Sequence, residues 1–162
     1  MYSYAFRWVI NYAKFMTEAF LLIIGAYMAQ LQNIIRTAQE KRSFQTLLKA
    51  AEVLGLIDKY SNTGPFTVFA PVESAFEVIP EEVIEEAFAD IPYLMGIINY
   101  HIVEGKYVLQ DLQNIDSLKT ISGKELRIKH NGTIVVDTAN IIEPDIECSN
   151  GVIHAISDIL VP

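Results

Sequence analysis

The stretch that decides the fold reads Gly64-Pro65-Phe66-Thr67-Val68-Phe69-Ala70-Pro71-Val72-Glu73-Ser74-Ala75-Phe76. It begins with a Gly-Pro turn signal. The next five residues are aromatic, β-branched or small, which is the composition of a strand. Both faces of this strand are largely apolar, so we expect it to be covered on both sides and central in the fold. Pro71 cannot donate a ladder hydrogen bond, and the strand is expected to end there.

The size and composition around this stretch predict one domain with an appendage. The chain has 162 residues, 51% of them hydrophobic, which is enough for a substantial core. Cys148 is the single cysteine, so an internal disulfide framework is excluded. Its neighbours Glu147 and Ser149 favour a small, half-buried residue over a nucleophile.

The charge is distributed unevenly along the chain. Residues 1–42 carry five basic and two acidic side chains, whereas residues 43–162 carry seven basic and eighteen acidic ones. An acidic body repels a phosphate backbone, so nucleic acid is not expected as a partner. A basic, apolar N-terminus indicates a segment that faces a membrane or directs export.

Residues 1–33 form this N-terminal apolar segment. Arg7 and Lys14 precede an apolar run of eleven residues, 19–29, without a charge or a strongly polar group. Eleven is short of the roughly 20 residues that cross a bilayer and fits the apolar region of a signal peptide. Arg7, Lys14 and Glu18 fall near one helical face, which also fits an interfacial helix. A signal peptide, a signal anchor, an interfacial helix and an ordinary domain helix therefore stay open.

The rest of the chain predicts helices first and strands later. Apolar spacing predicts a helix over residues 43–54, with Ser43 as N-cap and Gly55 as its stop. Pro80 and Pro92 each open a further helix. Strands are expected at residues 118–121, 125–129, 134–136, 141–142 and 152–161. Asn131-Gly132 is a strong signal for a tight hairpin, and Asn131 also begins a glycosylation sequon on that turn.

Three blocks of sequence carry a resemblance to a known family. They are residues 64–76, quoted above; Asn99-Tyr100-His101-Ile102-Val103-Glu104-Gly105-Lys106-Tyr107; and residues 145–162, from Asp145-Ile146 through Asn150-Gly151-Val152-Ile153-His154 to Pro162. In this order they resemble the fasciclin-like domain of fasciclin, periostin and the keratoepithelin family. The resemblance covers residues 34–162 and leaves residues 1–33 outside.

The resemblance implies both a fold and a function. The implied fold is α+β, a wedge of two small β-sheets with several helices packed on one side. Fasciclin-like domains are mostly secreted or membrane-held adhesion modules, so neither catalysis nor a cofactor is expected. The implied partners are a cell-surface receptor or a matrix protein or polysaccharide, with weak self-association as a further expectation.

The family resemblance also points to two contact segments. In the animal matrix proteins, integrin contact is attributed to a Tyr-His region with its flanking aliphatic residues, and to a Glu-Pro-Asp-Ile segment before the last strand. The matching residues here are Tyr100 and His101 with Ile97, Ile98, Ile102 and Val103, and then Glu143, Pro144, Asp145 and Ile146. The animal form of the second segment ends in methionine, whereas this chain has Glu147.

Two histidines, His101 and His154, are the first candidates for metal binding or catalysis. His101 and His154 lack the ligand spacing of zinc motifs, so no metal site is expected, and each imidazole is expected to tie segments together by hydrogen bonds. On a strand, His154 and Asp158 share one face while Ser157 points away, which argues against a catalytic triad.

The function hypothesis is a non-catalytic extracellular adhesion module, and the alternative is an extracytoplasmic protein that binds a small lipid or glycan.

Overall fold

The structure is a computed structural model that describes the backbone of residues 2–162 and the side chains of residues 7–162. The chain divides into two compact units, one ending at Leu31 and the other spanning Gln32–Pro162. The first unit is a single long helix. The second contains seven short helices, one 3-10 turn and seven strands within its range.

Helix α1, Tyr2–Gln30, is continuous through the N-terminal segment. Its portion Arg7–Gln30 is long and apolar enough to cross a membrane, by length and composition alone, and none of it is buried. The helix is therefore longer than the eleven-residue apolar run, and a signal peptide, a signal anchor and an interfacial helix all stay open. The helix continues through Lys14 and Glu18, and these isolated charges do not interrupt its apolar surface.

The seven strands pair in one order, β2-β1-β7-β6-β5-β4-β3. Their bounds are β1 Phe66–Pro71, β2 Ile102–Glu104, β3 Ser117–Lys119, β4 Glu125–His130, β5 Ile134–Val136, β6 Ala139–Cys148 and β7 Gly151–Ile156. A bridge between Val103 and Thr120 joins the two ends of this order, so the sheet curves nearly into a barrel.

Strand β1 is central, as its composition predicts. All six of its residues are buried. It pairs antiparallel with β2 on one side and parallel with β7 on the other, in register Phe66 to Gly151 and Pro71 to Ile156. A strand that has neighbours on both edges and cover on both faces requires apolar residues throughout.

Helices cover one side of the sheet, apart from the last of them, whose buried Leu112 belongs to the core on the other face. Their bounds are α2 Ile34–Glu40, a 3-10 turn Arg42–Phe44, α3 Gln45–Val53, α4 Ile57–Asn62, α5 Glu73–Glu77, α6 Glu81–Ala89, α7 Ile91–Tyr100 and α8 Leu109–Leu112. One core lies between helices and sheet and includes Phe44, Tyr60 and Val68. A second core lies against the other face of the sheet and includes Phe69, Leu126 and Leu160. The α+β fold with helices on one side is confirmed.

Several sequence expectations about element ends are wrong: β6 spans Ala139–Cys148, where the sequence predicts only residues 141–142, and two further ends differ. The first concerns Ser43, which lies in the 3-10 turn and does not cap α3. Glu73 takes that role from α5, because its carboxylate accepts the Thr46 N–H at 2.7 Å and the Thr46 hydroxyl at 2.8 Å. The second concerns β7, which ends at Ile156 and not at Val161. Beyond it, the Ser157 hydroxyl donates to Asp158, and the chain leaves the sheet.

Asn150 joins the start of β7 to the helices. Its side-chain oxygen accepts the Ile34 N–H at 2.8 Å, and its amide nitrogen donates to the carbonyls of Tyr60 at 2.8 Å and Thr63 at 2.7 Å. All of these groups belong to helices or helix ends far away in sequence. The Asn-Gly pair that the sequence marks as a turn is therefore also a junction between α2, α4 and β7.

Candidate functional site

Tyr100, at the end of α7, is buried and holds the helix to the sheet. Its hydroxyl donates to the Asp137 carboxylate at 2.6 Å, and the other Asp137 oxygen accepts the Arg127 N–H at 2.8 Å. Burial and the bond to Asp137 raise the pKa of Tyr100 to about 12. The Tyr100 side chain is therefore a structural link between α7 and the β4–β5 region.

His101 is 1% exposed and links α7 to the C-terminal residues. Its Nε2 accepts the Leu160 N–H at 3.0 Å, so Nδ1 carries the proton and donates to the Ile97 carbonyl at 2.8 Å. Burial lowers the pKa of His101 to about 4, with the Ile97 hydrogen bond acting in the opposite direction. The imidazole is neutral at pH 7, and both ring nitrogens are engaged.

The aliphatic residues around this pair are mostly buried as well. Ile98 and Ile102 lie in the core between helices and sheet, and Val103 lies in the second core. Ile97 is half-buried. In this structure the Tyr-His segment consequently presents little side-chain surface to a partner.

The segment Glu143–Ile146 has the opposite character. Glu143, Pro144 and Asp145 are exposed, and only Ile146 is buried, opposite Ile153 of β7. The pairing of β6 with β7 shifts register between Glu143 and Ile146. Such an irregularity turns backbone and side chains away from the sheet, and here it presents two carboxylates.

Asp145 holds this bulge in place. It has a φ of 55°, its N–H donates to His154 Nδ1 at 3.2 Å, and its carboxylate accepts the Leu109 N–H at 2.8 Å. His154 Nε2 in turn donates to the Tyr107 carbonyl at 2.7 Å. Burial lowers the pKa of His154, while the Tyr107 carbonyl and the Asp145 charge act to raise it.

The charges near the bulge are partly paired. Glu143 forms an ion pair with Lys41, and Glu147 forms one with Lys106. Within the part of the chain that the structure describes, Asp145 has no Lys or Arg partner, and its side chain is 41% exposed. Asp145 is thus an accessible carboxylate on a fixed backbone.

The β4–β5 hairpin places Asn131 on an exposed loop. Lys129 pairs with Val135 and His130 with Ile134, which leaves residues 131–133 as the loop. The hairpin is confirmed, with a loop of three residues. Asn131 is accessible there, and its glycosylation stays a prediction.

The remaining candidates for chemistry, His154 and Cys148, have structural roles. Neither ring nitrogen of His154 is left for Ser157, because one accepts the Asp145 N–H and the other donates to Tyr107. Cys148 is buried, more than the sequence predicts, and burial raises the pKa of its thiol. Among the described side chains, no group of three or more His, Cys, Asp or Glu is arranged to hold a metal ion.

Comparison with known proteins identifies the domain. The fasciclin domain family model matches residues 42–162. The uncharacterized protein sll1735 of Synechocystis sp. is 35% identical over 130 residues, 80% of this chain and 98% of that protein. Periostin of Homo sapiens is 32% identical over 127 residues, which are 76% of this chain and 15% of periostin.

A solved structure supports the same fold. The FAS1 domain pair of the insect cell adhesion molecule fasciclin I matches with a TM-score of 0.69 at 20% identity, over 81% of this chain and 51% of that one. The resemblance carried by the three sequence blocks is confirmed. The chain belongs to the fasciclin domain family.

Proposed function

We propose that this protein is a non-catalytic adhesion or matrix module outside the cytoplasm, which binds its partner through the exposed bulge at Glu143–Asp145. The observation that carries the proposal is the bulge itself, an accessible acidic segment on a fixed backbone. Fasciclin I, which shares the fold, is a cell adhesion molecule. The partner is a cell-surface receptor or a matrix protein or polysaccharide.

The geometry of the bulge supports recognition. Leu109 and His154 fix Asp145 from two sides, so little conformational entropy is lost when a partner binds. The carboxylate remains exposed and offers a charged acceptor to a cationic or metal-bearing receptor surface. Because His101 and His154 use both ring nitrogens inside the fold, neither supports a role in proton transfer.

Residues 1–33 supply the membrane attachment in this proposal, and residues 34–162 the binding domain. Arg7, Asn11, Lys14 and Glu18 recur at spacings of three and four residues and so share one face of α1. The other described side chains of the helix, over residues 7–30, are mostly apolar and exposed, including Trp8, which is 68% exposed. Such a surface is stable when lipid covers it.

We expect the protein in the membrane fraction of cells that express the native gene, with its domain facing outward. Protease added to intact cells should digest the domain, because it lies outside the membrane. Deletion of residues 7–30 should leave the domain inside the cell. Full-length protein that stays soluble in the cytoplasm would contradict the proposal.

The contact segment can be tested by attachment of native host cells to a surface coated with the full chain. The double variant Glu143→Gln/Asp145→Asn removes both charges, and asparagine still tolerates the positive φ at position 145. We expect attachment about tenfold weaker, since a hydrogen bond to a charged group contributes about 1.5–3 kcal/mol.

Two control variants test whether the effect is specific to the bulge. Glu81→Gln/Glu82→Gln removes the same charge from exposed positions of α6, and attachment should not change. Tyr100→Phe changes a buried hydroxyl and should also leave attachment unchanged. Loss of attachment with Tyr100→Phe, together with full attachment of the double variant, would place the contact in the Tyr-His segment and refute the proposal.

A further inference from the structure

A large groove lies on the helical side of the domain, and none of its lining residues belongs to the acidic bulge. It has a volume of about 710 Å³. Its walls come from α3, α5, α6, α7 and the residues that follow β7. Sites for small molecules commonly have volumes of about 300–1,000 Å³ and mostly apolar walls, so this groove has the size of a ligand site.

Helix α6 forms one wall of the groove and reaches the core only through Phe88, which is partly buried against it. No residue of α6 is buried. Its apolar residues Val83, Ile84, Ala87 and Phe88 nevertheless line the groove. Amphipathic helices normally bury their apolar face against a core, so the apolar face of α6 lacks full cover.

Apolar side chains around the groove are also left open to solvent. Val78 is 82% exposed, Val161 64%, Val83 51% and Tyr93 49%, and all four line the groove. Removal of such surface from water favours the binding of an apolar ligand. An apolar chain bound in the groove would therefore cover apolar side chains that no other part of the described protein covers.

The charged residues of the groove are all acidic. Glu86, Asp90 and Asp158 line it, and among its described residues none is Lys or Arg. Asp90 already accepts the Tyr93 N–H, and Asp158 accepts the Ser157 hydroxyl. In the described part of the chain, Glu86 has no such partner, which leaves its carboxylate available to a cation. The Lys49 ammonium lies 5.6 Å from the centroid of the Phe88 ring but does not line the groove. The three acidic residues that do line it disfavour a fatty acid, whose carboxylate would face like charges.

We infer that the groove between α6, α7 and the C-terminal residues binds a single-chain amphiphile whose apolar chain lies against α6 and whose positively charged head group pairs with Glu86. The site is separate from the proposed adhesive contact, because it shares no residue with the bulge at Glu143–Asp145. Its walls favour the lipid over the glycan in the alternative function that the sequence leaves open.

Photo-crosslinking on the full chain tests the site independently of α1. Two probes share a diazirine-bearing dodecyl chain, and one ends in trimethylammonium while the other ends in carboxylate. Labelled peptides are mapped by mass spectrometry. We expect the cationic probe to label residues 73–100 and 157–162 more strongly than the anionic probe. Labelling confined to residues 7–30, or equal labelling of the groove by both probes, would overturn the proposal.

Two pairs of variants on α6 sharpen the test. Ala87→Trp places an indole in the groove, whereas Ala89→Trp adds it at an exposed position that does not line the groove. Only the first should abolish groove labelling. Glu86→Gln and its neighbour Glu85→Gln remove the same charge, but only Glu86 lines the groove.

Glu86→Gln should lower the affinity for the cationic probe about 1.4- to fivefold, which is the range for an exposed ion pair. Glu85→Gln should leave it unchanged. Equal effects of the two glutamine variants would refute the head-group contact. Because Glu86 is exposed, its variant is informative even if Ala87→Trp disturbs the fold. None of these four α6 variants should change the attachment of cells, which Glu143→Gln/Asp145→Asn is expected to weaken.

Discussion

Gly151→Ala should lower the free energy of unfolding by about 3–5 kcal/mol. A Cβ atom at position 151 would lie 1.9 Å from the Phe66 carbonyl oxygen and 2.9 Å from Cδ1 of Ile34. Overpacking of a core costs about 1–3 kcal/mol when side chains can move aside. Here the nearest atom belongs to the backbone of β1, which pairs with β7 at this residue, so separation of the two central strands is required.

The effect should also spread beyond the two strands. Asn150, the preceding residue, binds Ile34 and the end of α4 through its side chain. Displacement of β7 at position 151 would pull this side chain from its partners, and each lost hydrogen bond costs about 0.5–1.5 kcal/mol. Urea unfolding of the full chain, followed by circular dichroism, measures the loss.

Gly123→Ala is the matched control for this substitution. Gly123 also has a positive φ, 86°, but a Cβ atom there would meet nothing within 4 Å. Only the strained backbone should contribute, about 1–2 kcal/mol. If the two variants lose the same stability, backbone conformation and not the close approach to Phe66 explains the need for glycine at position 151.

Local patterns predict the strands better than the helix ends. The apolar run after Gly64-Pro65 is strand β1, and residues 134–136 form β5 with the expected bounds. Both depend on neighbours in sequence. The start of α3 does not, because its cap is the side chain of Glu73, 27 residues away from Thr46. No pattern near Ser43 contains that information.

In the candidate site, too, the features set by distant residues could not be predicted from the local sequence. The family resemblance draws attention to Tyr100 and His101, but their partners Asp137 and Leu160 are 37 and 59 residues distant. Asp137 carries no local signal of its role, since a single aspartate between two strands is usually a turn residue. The prediction that His101 and His154 each tie segments together by hydrogen bonds is confirmed. It could be made from the sequence because it named no partner for either imidazole.

Acid should destabilise the fold through His101. The pKa of His101 is about 4 in the folded protein, compared with 6.5 for an unperturbed histidine. The unfolded state therefore binds the proton first as pH falls. The stability that comes from the neutral imidazole is complete above pH 6.5, decreases between pH 6.5 and 4, and changes no further below that range. Each unit of pKa difference corresponds to about 1.4 kcal/mol, so the full loss is about 3 kcal/mol.

The variant His101→Gln isolates this effect from the titration of carboxylates. Glutamine does not titrate, and its side-chain oxygen can still accept the Leu160 N–H. The variant should be less stable at pH 7.5, since the bond to Ile97 is lost, but its stability should fall by about 3 kcal/mol less between pH 7 and 4. A residual acid dependence should remain, because burial also lowers the pKa of His154.

His130→Gln provides the comparison for the acid dependence. His130 is exposed at the end of β4, where its Nε2 lies 3.1 Å from the Ile115 carbonyl oxygen, so its removal should cost about 0.5–1.5 kcal/mol of stability. Urea unfolding at a series of pH values gives the three curves. If the curves of His101→Gln and the unmodified chain run parallel from pH 7 to 4, His101 is not the group that couples acid to unfolding. If instead they converge, protonation of His101 breaks the link between α7 and Leu160. The amide hydrogens of the C-terminal residues should then lose protection at low pH, measured relative to their intrinsic exchange rates.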